Sequence, residues 1–417
     1  MSPVIAIVSL RALHTGSVEV VFDFPVTGEN VRFPLPDRRP LDAVRRKAGV
    51  YLDRLVAQNG RLRLDTSEAR DAFAILAQAG WQLTYVLAQG DMSRIEELSS
   101  AFRKARVLWE RTSWPDPDDL IPVVEMHCRD DAFPLELLPV FEYGPLPAIN
   151  TYYDLVSAAS RFLGFSTMVK RVIPARMPAD GVLRNDPALP VQFIRHARLA
   201  STRDEVRELA TMPGVEVEGP WPIDEDAAAV LTTLTRSLFD GSRLDGATAQ
   251  QPAQIQHFAC HCDTTTELDD DYTLTVSTRK GRNRELSLAQ MQEAHWKLRT
   301  EYPGQSQERS VIILNACGSS RTNPLTANSF PRWFLSSGHR AFIGTEATVP
   351  DGVASAFATA FYGRLLERRR PLGEAVVWAR RDLLCDFRNP LGLLYVLYGD
   401  ADLTVEAARP DVYRRLA

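Results

Sequence analysis

Two short segments carry side chains that could do chemistry together. One is Gln256-His257-Phe258-Ala259-Cys260-His261-Cys262-Asp263, and the other is Val311-Ile312-Ile313-Leu314-Asn315-Ala316-Cys317-Gly318-Ser319-Ser320. Each is an apolar run that ends in a reactive group and then turns polar, which reads as a buried strand with that group at its carboxyl end. Cysteine catalysis needs a thiolate and a nearby base, and the base can come from a neighbouring strand. Adjacent parallel strands lie roughly 5 Å apart, so two such strand ends would bring His261 and Cys317 within hydrogen-bond reach. Taken singly, a cysteine at a strand end is ordinarily an inert small hydrophobe. The pairing is what suggests a nucleophile and its base.

Other clusters read as structural. Cys260-His261-Cys262 invites a metal, but side chains alternate along a strand, so the two thiols point away from the imidazole. No metal or cofactor is expected. The acidic run Glu267-Leu268-Asp269-Asp270-Asp271 reads as a solvated loop. Arg368-Arg369-Arg370 follows a helix, where cations suit the carboxyl-terminal dipole. His257 lies two residues before His261, deeper in the strand, and reads as a core histidine. His127, His196, His295 and His339 have no companion motif.

The elements that must position the pair can be read from periodicity. Val18, Val20, Phe22 and Phe24 alternate as a strand, and Val31 and Phe33 continue the pattern after the turn at Gly28-Glu29-Asn30. Ala69–Leu87 and the face made by Ile95, Leu98, Phe102, Ala105 and Trp109 read as helices. The Pro/Asp-rich stretch 113–119 cannot continue a helix and marks a boundary. From about residue 190 strands and helices alternate. Strands are expected at Val191–Ile194, Val215–Val217, Ile255–His261, Val311–Ala316, Ala341–Ile343 and Leu393–Leu397. Helices are expected after a capping box at Thr202-Arg203-Asp204-Glu205, along Ala227–Leu238, and at Pro324–Leu335, Val353–Leu366 and Leu372–Leu384. This alternation implies an α/β fold with a mostly parallel sheet covered by helices on both faces. Sites in such sheets form beyond the carboxyl ends of the strands, where His261 and Cys317 fall.

Composition narrows the class. The chain has 417 residues, 45% hydrophobic and 24% charged, with a formal net charge of −5. That is ordinary globular composition, and its acidity argues against nucleic acid or an anionic membrane as partner. No apolar stretch approaches the roughly 18 residues of a membrane span, and the start lacks a signal-peptide pattern. Five cysteines without a CxxC pair suit reduced thiols in the cytoplasm rather than a disulfide framework.

With these segments in view, the chain resembles the CHAT peptidases, a caspase-like family related to separases, metacaspases and gingipains. HFACHCD followed by VIILNACGSS carries the likeness. FIGTEATVPD, AFYGRLLERRRPLGEAVVWARRDL and PLGLLYVLYGDADL resemble the family's later strands and helices, and FPLELLPV its "P-x-E-L-L" element. The ordered set covers residues from about 120 to 405. The His261-to-Cys317 separation of 56 positions is close to the roughly 50 of caspase-type enzymes.

The resemblance implies a caspase-like fold with an N-terminal strand-plus-helix region (1–115) and a protease domain (116–417). Within the latter, 116–188 would be a degenerate half and 189–417 the active half. It implies a cysteine endopeptidase with Cys317 as nucleophile, His261 as base or acid, and the backbone N–H groups of Cys262 and Cys317 as oxyanion hole. The family usually has glycine where Cys262 stands. A protein or peptide substrate would add as a strand after Gly344, beside Thr345, Glu346, Ala347 and Thr348. Glu346 or Asp263 would favour Arg or Lys before the cut. An activating partner protein and a place in a bacterial defence or cell-death system suit such a peptidase, the alternative being a protease-dead scaffold that binds proteins.

Overall fold

Runs of apolar and β-branched residues form the strands of one large sheet, and the amphipathic stretches between them become its covering helices. The structure is a computed structural model that describes residues 3–13, 16–108, 121–127, 133–142, 146–172, 181–185, 188–222, 227–240, 244, 252–264, 272–278, 280–301, 310–316 and 329–406. The first half contributes β1 (Val4–Ala12), β2 (Val18–Phe24), β3 (Glu29–Leu35), α1 (Arg39–Asn59), α2 (Thr66–Leu87) and α3 (Met92–Leu108). It continues with β4 (Val123–His127), α4 (Tyr152–Ala159), α5 (Leu163–Ser166) and β5 (Met168–Val172). Next come β6 (Val182–Leu183), β7 (Leu189–Arg195), α6 (Thr202–Thr211), β8 (Val215–Trp221), α7 (Ala227–Asp240) and β9 (Ile255–Ala259). A small excursion follows, β10 (His261–Thr264), β11 (Tyr272–Ser277), β12 (Asn283–Ser287) and α8 (Leu288–Glu301). The chain closes with β13 (Val311–Asn315), α9 (Phe330–Ser336), β14 (Ala341–Thr345), α10 (Asp351–Tyr362), α11 (Leu372–Phe387), β15 (Tyr395–Gly399) and β16 (Thr404–Val405).

Eleven strands make one sheet in the order β3-β2-β1-β4-β5-β15-β14-β13-β9-β7-β8. Neighbours are parallel except at β1–β2, β2–β3 and β14–β15, so the mostly parallel α/β sheet expected from the sequence is present. The N-terminal strands extend this same sheet, because β1 pairs in parallel with β4. The expected boundary at 113–119 lies outside the described residues.

Alternation along the strands feeds two cores, one on each face. In β13, Ile312 and Leu314 join one apolar cluster, with α7, α8 and α9, while Val311 and Ile313 join the other, with α2, α10 and α11. A strand buried on both faces reads as a continuous apolar run, which is why 311–314 is Val-Ile-Ile-Leu. No helix among the described residues is long and apolar enough to cross a membrane.

Two local expectations change. The strand expected through His261 stops at Ala259, and His261 opens β10, which belongs to a separate three-stranded sheet, β10-β11-β12. The chain turns at Cys260, so His261 stands at the lip of the main sheet rather than inside it. The capping box at the start of α6 does not form, since no side chain caps that helix. The Glu205 carboxylate is drawn inward to the His257 imidazole instead.

Candidate active site

The two chemistry-bearing strands are neighbours. β9 and β13 run parallel in the register Ile255↔Val311 through Ala259↔Asn315. His261 stands two positions after Ala259 in the sequence, and Cys317 two positions after Asn315. Cys317 itself lies outside the described residues, whose last member before it is Ala316. Thr345, at the end of β14, donates its hydroxyl to the Ala316 carbonyl at 2.5 Å, which ties down the residue before the cysteine.

A cavity of about 230 Å³ opens at these strand ends. Ala259, Cys260 and His261 line one side and Asn315 and Ala316 the next. Leu199 before α6 and Thr202 and Glu205 within it, with Thr348 and Val349 before α10 and Asp351 and Ala354 within it, close the rest. This is the carboxyl-end crevice that a parallel sheet provides.

His261 is held by a second imidazole. The His196 ring packs edge-on against it, with centroids 4.7 Å apart and planes at 65°. His196 is itself fixed: its Nε2 lies 3.2 Å from Asn283 Oδ1, and its Nδ1 accepts the Arg198 backbone N–H at 3.3 Å. Those two contacts fit one neutral tautomer, protonated at Nε2. Burial holds the His196 pKa below its ordinary value, the bond to Asn283 opposing it, with His261, Arg198 and Arg195 adding to the lowering.

Beneath the cavity runs a buried polar chain. Tyr395 donates its hydroxyl to Asn315 Oδ1 at 2.5 Å, and Asn315 Nδ2 donates to the Ala354 carbonyl at 3.2 Å and to Glu205 Oε1 at 3.4 Å. The same Glu205 oxygen lies 2.8 Å from His257 Nε2, and His257 Nδ1 lies 3.0 Å from the Tyr362 hydroxyl. Phe193 stacks on His257, with centroids 4.9 Å apart. Burial pushes the Tyr362 phenol well above its ordinary pKa, and the Glu205 charge adds to this, so it stays neutral.

The CHAT domain family model matches residues 151–391, more than half of the chain. The chain belongs to the CHAT domain family. Within it, 94 residues of this CHAT chain are 33% identical to a probable protease of Vitiosangium sp. (strain GDMCC 1.1324). That match takes in 22% of the chain and 12% of the relative, so the chain spans a small part of that protein's length. Among solved structures, two crystal structures of the Saccharomyces cerevisiae separase–securin complex overlie 96% and 97% of the CHAT chain and 30% of the separase chain. Their TM-scores are 0.48 and 0.47, at 11% and 10% identity.

The expected site residues of the CHAT chain fall in different places. His261 is half-buried and faces the cavity, and Thr348 lines it. Cys262 is buried in β10, opposite Leu274. Among the described non-glycine residues positive φ occurs at Gln89, Arg369 and Arg388, so residue 262 does not need the left-handed region that favours glycine. Asp263 is exposed on β10. Glu346 is half-buried, with its N–H donated to the Leu394 carbonyl, and Ala347 is buried. Asp263, Thr345, Glu346 and Ala347 are not among the lining residues. Cys260 and Cys262 belong to an apolar core, and among the described residues no cluster could hold a metal ion. The acidic run at 267–271 lies outside the described residues.

Sequence reasoning overlooked His196, Glu205 and Asn315. His196 had a legible signal, since it follows an apolar strand just as His261 does. Glu205 had none, because its partner His257 lies 52 positions away and only folding brings them together.

Two segments that flank the family match hold the fold together. Glu136 of FPLELLPV is buried and makes a bidentate pair with Arg171, at 2.6 and 2.5 Å, while Arg380 Nη2 approaches it at 3.4 Å. In the closing YGDADL segment, Gly399 has φ +91° and a Cβ there would stand 2.6 Å from the Arg340 carbonyl, so only glycine fits.

Proposed function

We propose that this chain is a cysteine endopeptidase in which Cys317 is the nucleophile and His261 its acid–base partner. One observation carries the reading: His261 and the segment leading to Cys317 meet at one cavity, at the ends of two hydrogen-bonded parallel strands in matching register. The Cys317 thiolate attacks the scissile carbonyl carbon, and the carbonyl electrons move onto oxygen, where the N–H groups of Cys262 and Cys317 receive them. The C–N bond then breaks, His261 protonates the departing amine, and a thioester remains on Cys317. Water adds to the thioester carbonyl while His261 takes its proton. The acid product leaves, and that proton returns to the thiol.

On this reading the substrate is a protein or peptide, laid as an added strand beside Thr345–Thr348. The first 115 residues, which precede the CHAT match, are the candidate seat of control by a partner protein. Such regulated cutting suits a bacterial defence or cell-death system. A reactive thiol at Cys317 suits a reducing compartment such as the cytoplasm. The competing reading is a CHAT scaffold that binds without cutting, and it would need residue 262 to spoil the oxyanion hole. The backbone there has no positive φ, which favours proteolysis.

The test compares wild type, Cys317→Ala and His261→Ala on a proteome-derived peptide library. Cleavages present with wild type and lost by at least 10³-fold in both variants are expected, in the range of removing one member of a catalytic pair. Equal products from all three would refute the assignment.

A further inference from the structure

The cavity beside His261 has a floor that the hydrolytic chemistry does not use. Glu205 there is only 4% exposed, yet it lines the cavity. Both contacts of its carboxylate, from His257 Nε2 and Asn315 Nδ2, fall on Oε1. Among the described residues Oε2 has no partner.

The Tyr362 hydroxyl lies 3.0 Å from His257 Nδ1, and His257 Nε2 lies 2.8 Å from Glu205 Oε1 without hydrogen-bond geometry. A second carboxylate, Asp351, lines the same cavity and accepts the Ser201 N–H at 2.9 Å. None of the described lining residues is Lys or Arg.

The upper walls are apolar, supplied by Leu199, Ala316 and Val349. Apolar walls over an acidic floor suit a side chain with an aliphatic stem and a cationic head. An acidic side chain would meet like charge. An apolar one would cover a buried carboxylate and leave its charge uncompensated, which is costly.

We propose that this cavity receives the side chain of the residue preceding the cut, and that Glu205 selects Arg or Lys there. The inference rests on the peptidase reading, and it gives the selecting role to a helix residue behind the sheet, distinct from Asp263 and Glu346. Glu205 acts by pairing with the substrate cation at its Oε2, while Asn315 and His257 hold the carboxylate in place.

The test uses peptidyl acyloxymethyl ketones that differ only in the terminal residue, Arg, Lys, Leu or Asp, with labelling of Cys317 read by mass spectrometry on the full chain. The Arg and Lys probes are expected to label wild type at least 10-fold faster than the Leu probe. Glu205→Gln should lower Arg labelling at least 10-fold and leave Leu labelling equal or faster, while Glu205→Asp, which keeps the charge, should retain part of the Arg preference. The Leu probe thereby reports whether the Gln variant is folded and its thiol competent. Faster labelling by Leu or Asp in wild type, or an Arg preference that survives Glu205→Gln, would overturn the assignment while leaving the peptidase reading standing. Labelling that misses Cys317 altogether would overturn both.

Discussion

At the scale of single residues, the proposed site divides into the pair assigned the reaction and the groups that would hold it. His261 and Cys317 were legible in the sequence because each ends an apolar run and turns polar, a pattern that needs no knowledge of distant partners. Asn315 was not legible. It looks like one more residue of a buried strand, but its amide links Tyr395, Ala354 and Glu205 directly before the segment that leads to Cys317. Asn315 Oδ1 has the Tyr395 hydroxyl as its partner. Tyr395→Phe removes that donor and leaves a buried acceptor unmet, a loss of about 1–3 kcal/mol. A lowered denaturant midpoint with unchanged m-value would show it, and an unchanged midpoint would mean that the Asn315 amide is satisfied in some other way.

At the scale of elements, strand order is what periodicity could not supply. The apolar runs at 255–259 and 311–315 announce two buried strands, but only the register Ala259↔Asn315 makes them neighbours. The break at Cys260 was hidden because Cys260, His261 and Cys262 continue a strand-like composition. The chain leaves the main sheet there to pair His261–Thr264 with Tyr272–Thr275. Local rules failed at α6 for a related reason. Thr202-x-x-Glu205 is a good capping box in isolation, but a buried imidazole competes for the carboxylate and wins. Helix α1 carries Leu41, Val44, Ala48, Leu52 and Leu55 on its buried side, a helical spacing that sequence reasoning passed over because arginines and a lysine stand between them. Places where local signals are overridden tend to be functional, and both overrides here lie beside the cavity.

At the scale of the whole molecule, the two halves of the sheet are joined through a buried charge cluster. Glu136 and Arg171 come from the first half and Arg380 from α11. Arg380 also donates to the carbonyls of Gly164 and Tyr395, which ties it to both halves. Burial raises the Glu136 pKa, and the attraction of Arg171 and Arg380 outweighs it, so the carboxyl sits below its ordinary value. A carboxyl depressed in the fold stabilises it above the ordinary carboxylate pKa, and that stability is lost as pH falls through the folded value. Glu136→Gln would strand two buried guanidiniums and should cost about 3–5 kcal/mol. It should also flatten the acid limb of the stability-versus-pH curve, as measured by thermal unfolding between pH 3 and 7. A variant as stable as wild type would mean that this cluster does not join the halves.

The central claim is that Cys317 is a thiol activated by His261, and it can be tested without substrate or activator. The measurement is the rate of iodoacetamide alkylation at each cysteine against pH, in wild type and His261→Ala, resolved by mass spectrometry. Cys385 is the internal control, because burial pushes its thiol above the ordinary value, its bond with Tyr152 opposing. Cys317 is expected to alkylate fastest of the five thiols, with a rate that titrates below the ordinary thiol pKa of about 8.5, and to return toward that value in His261→Ala. A Cys317 no more reactive than Cys385, with a profile indifferent to His261, would contradict the account.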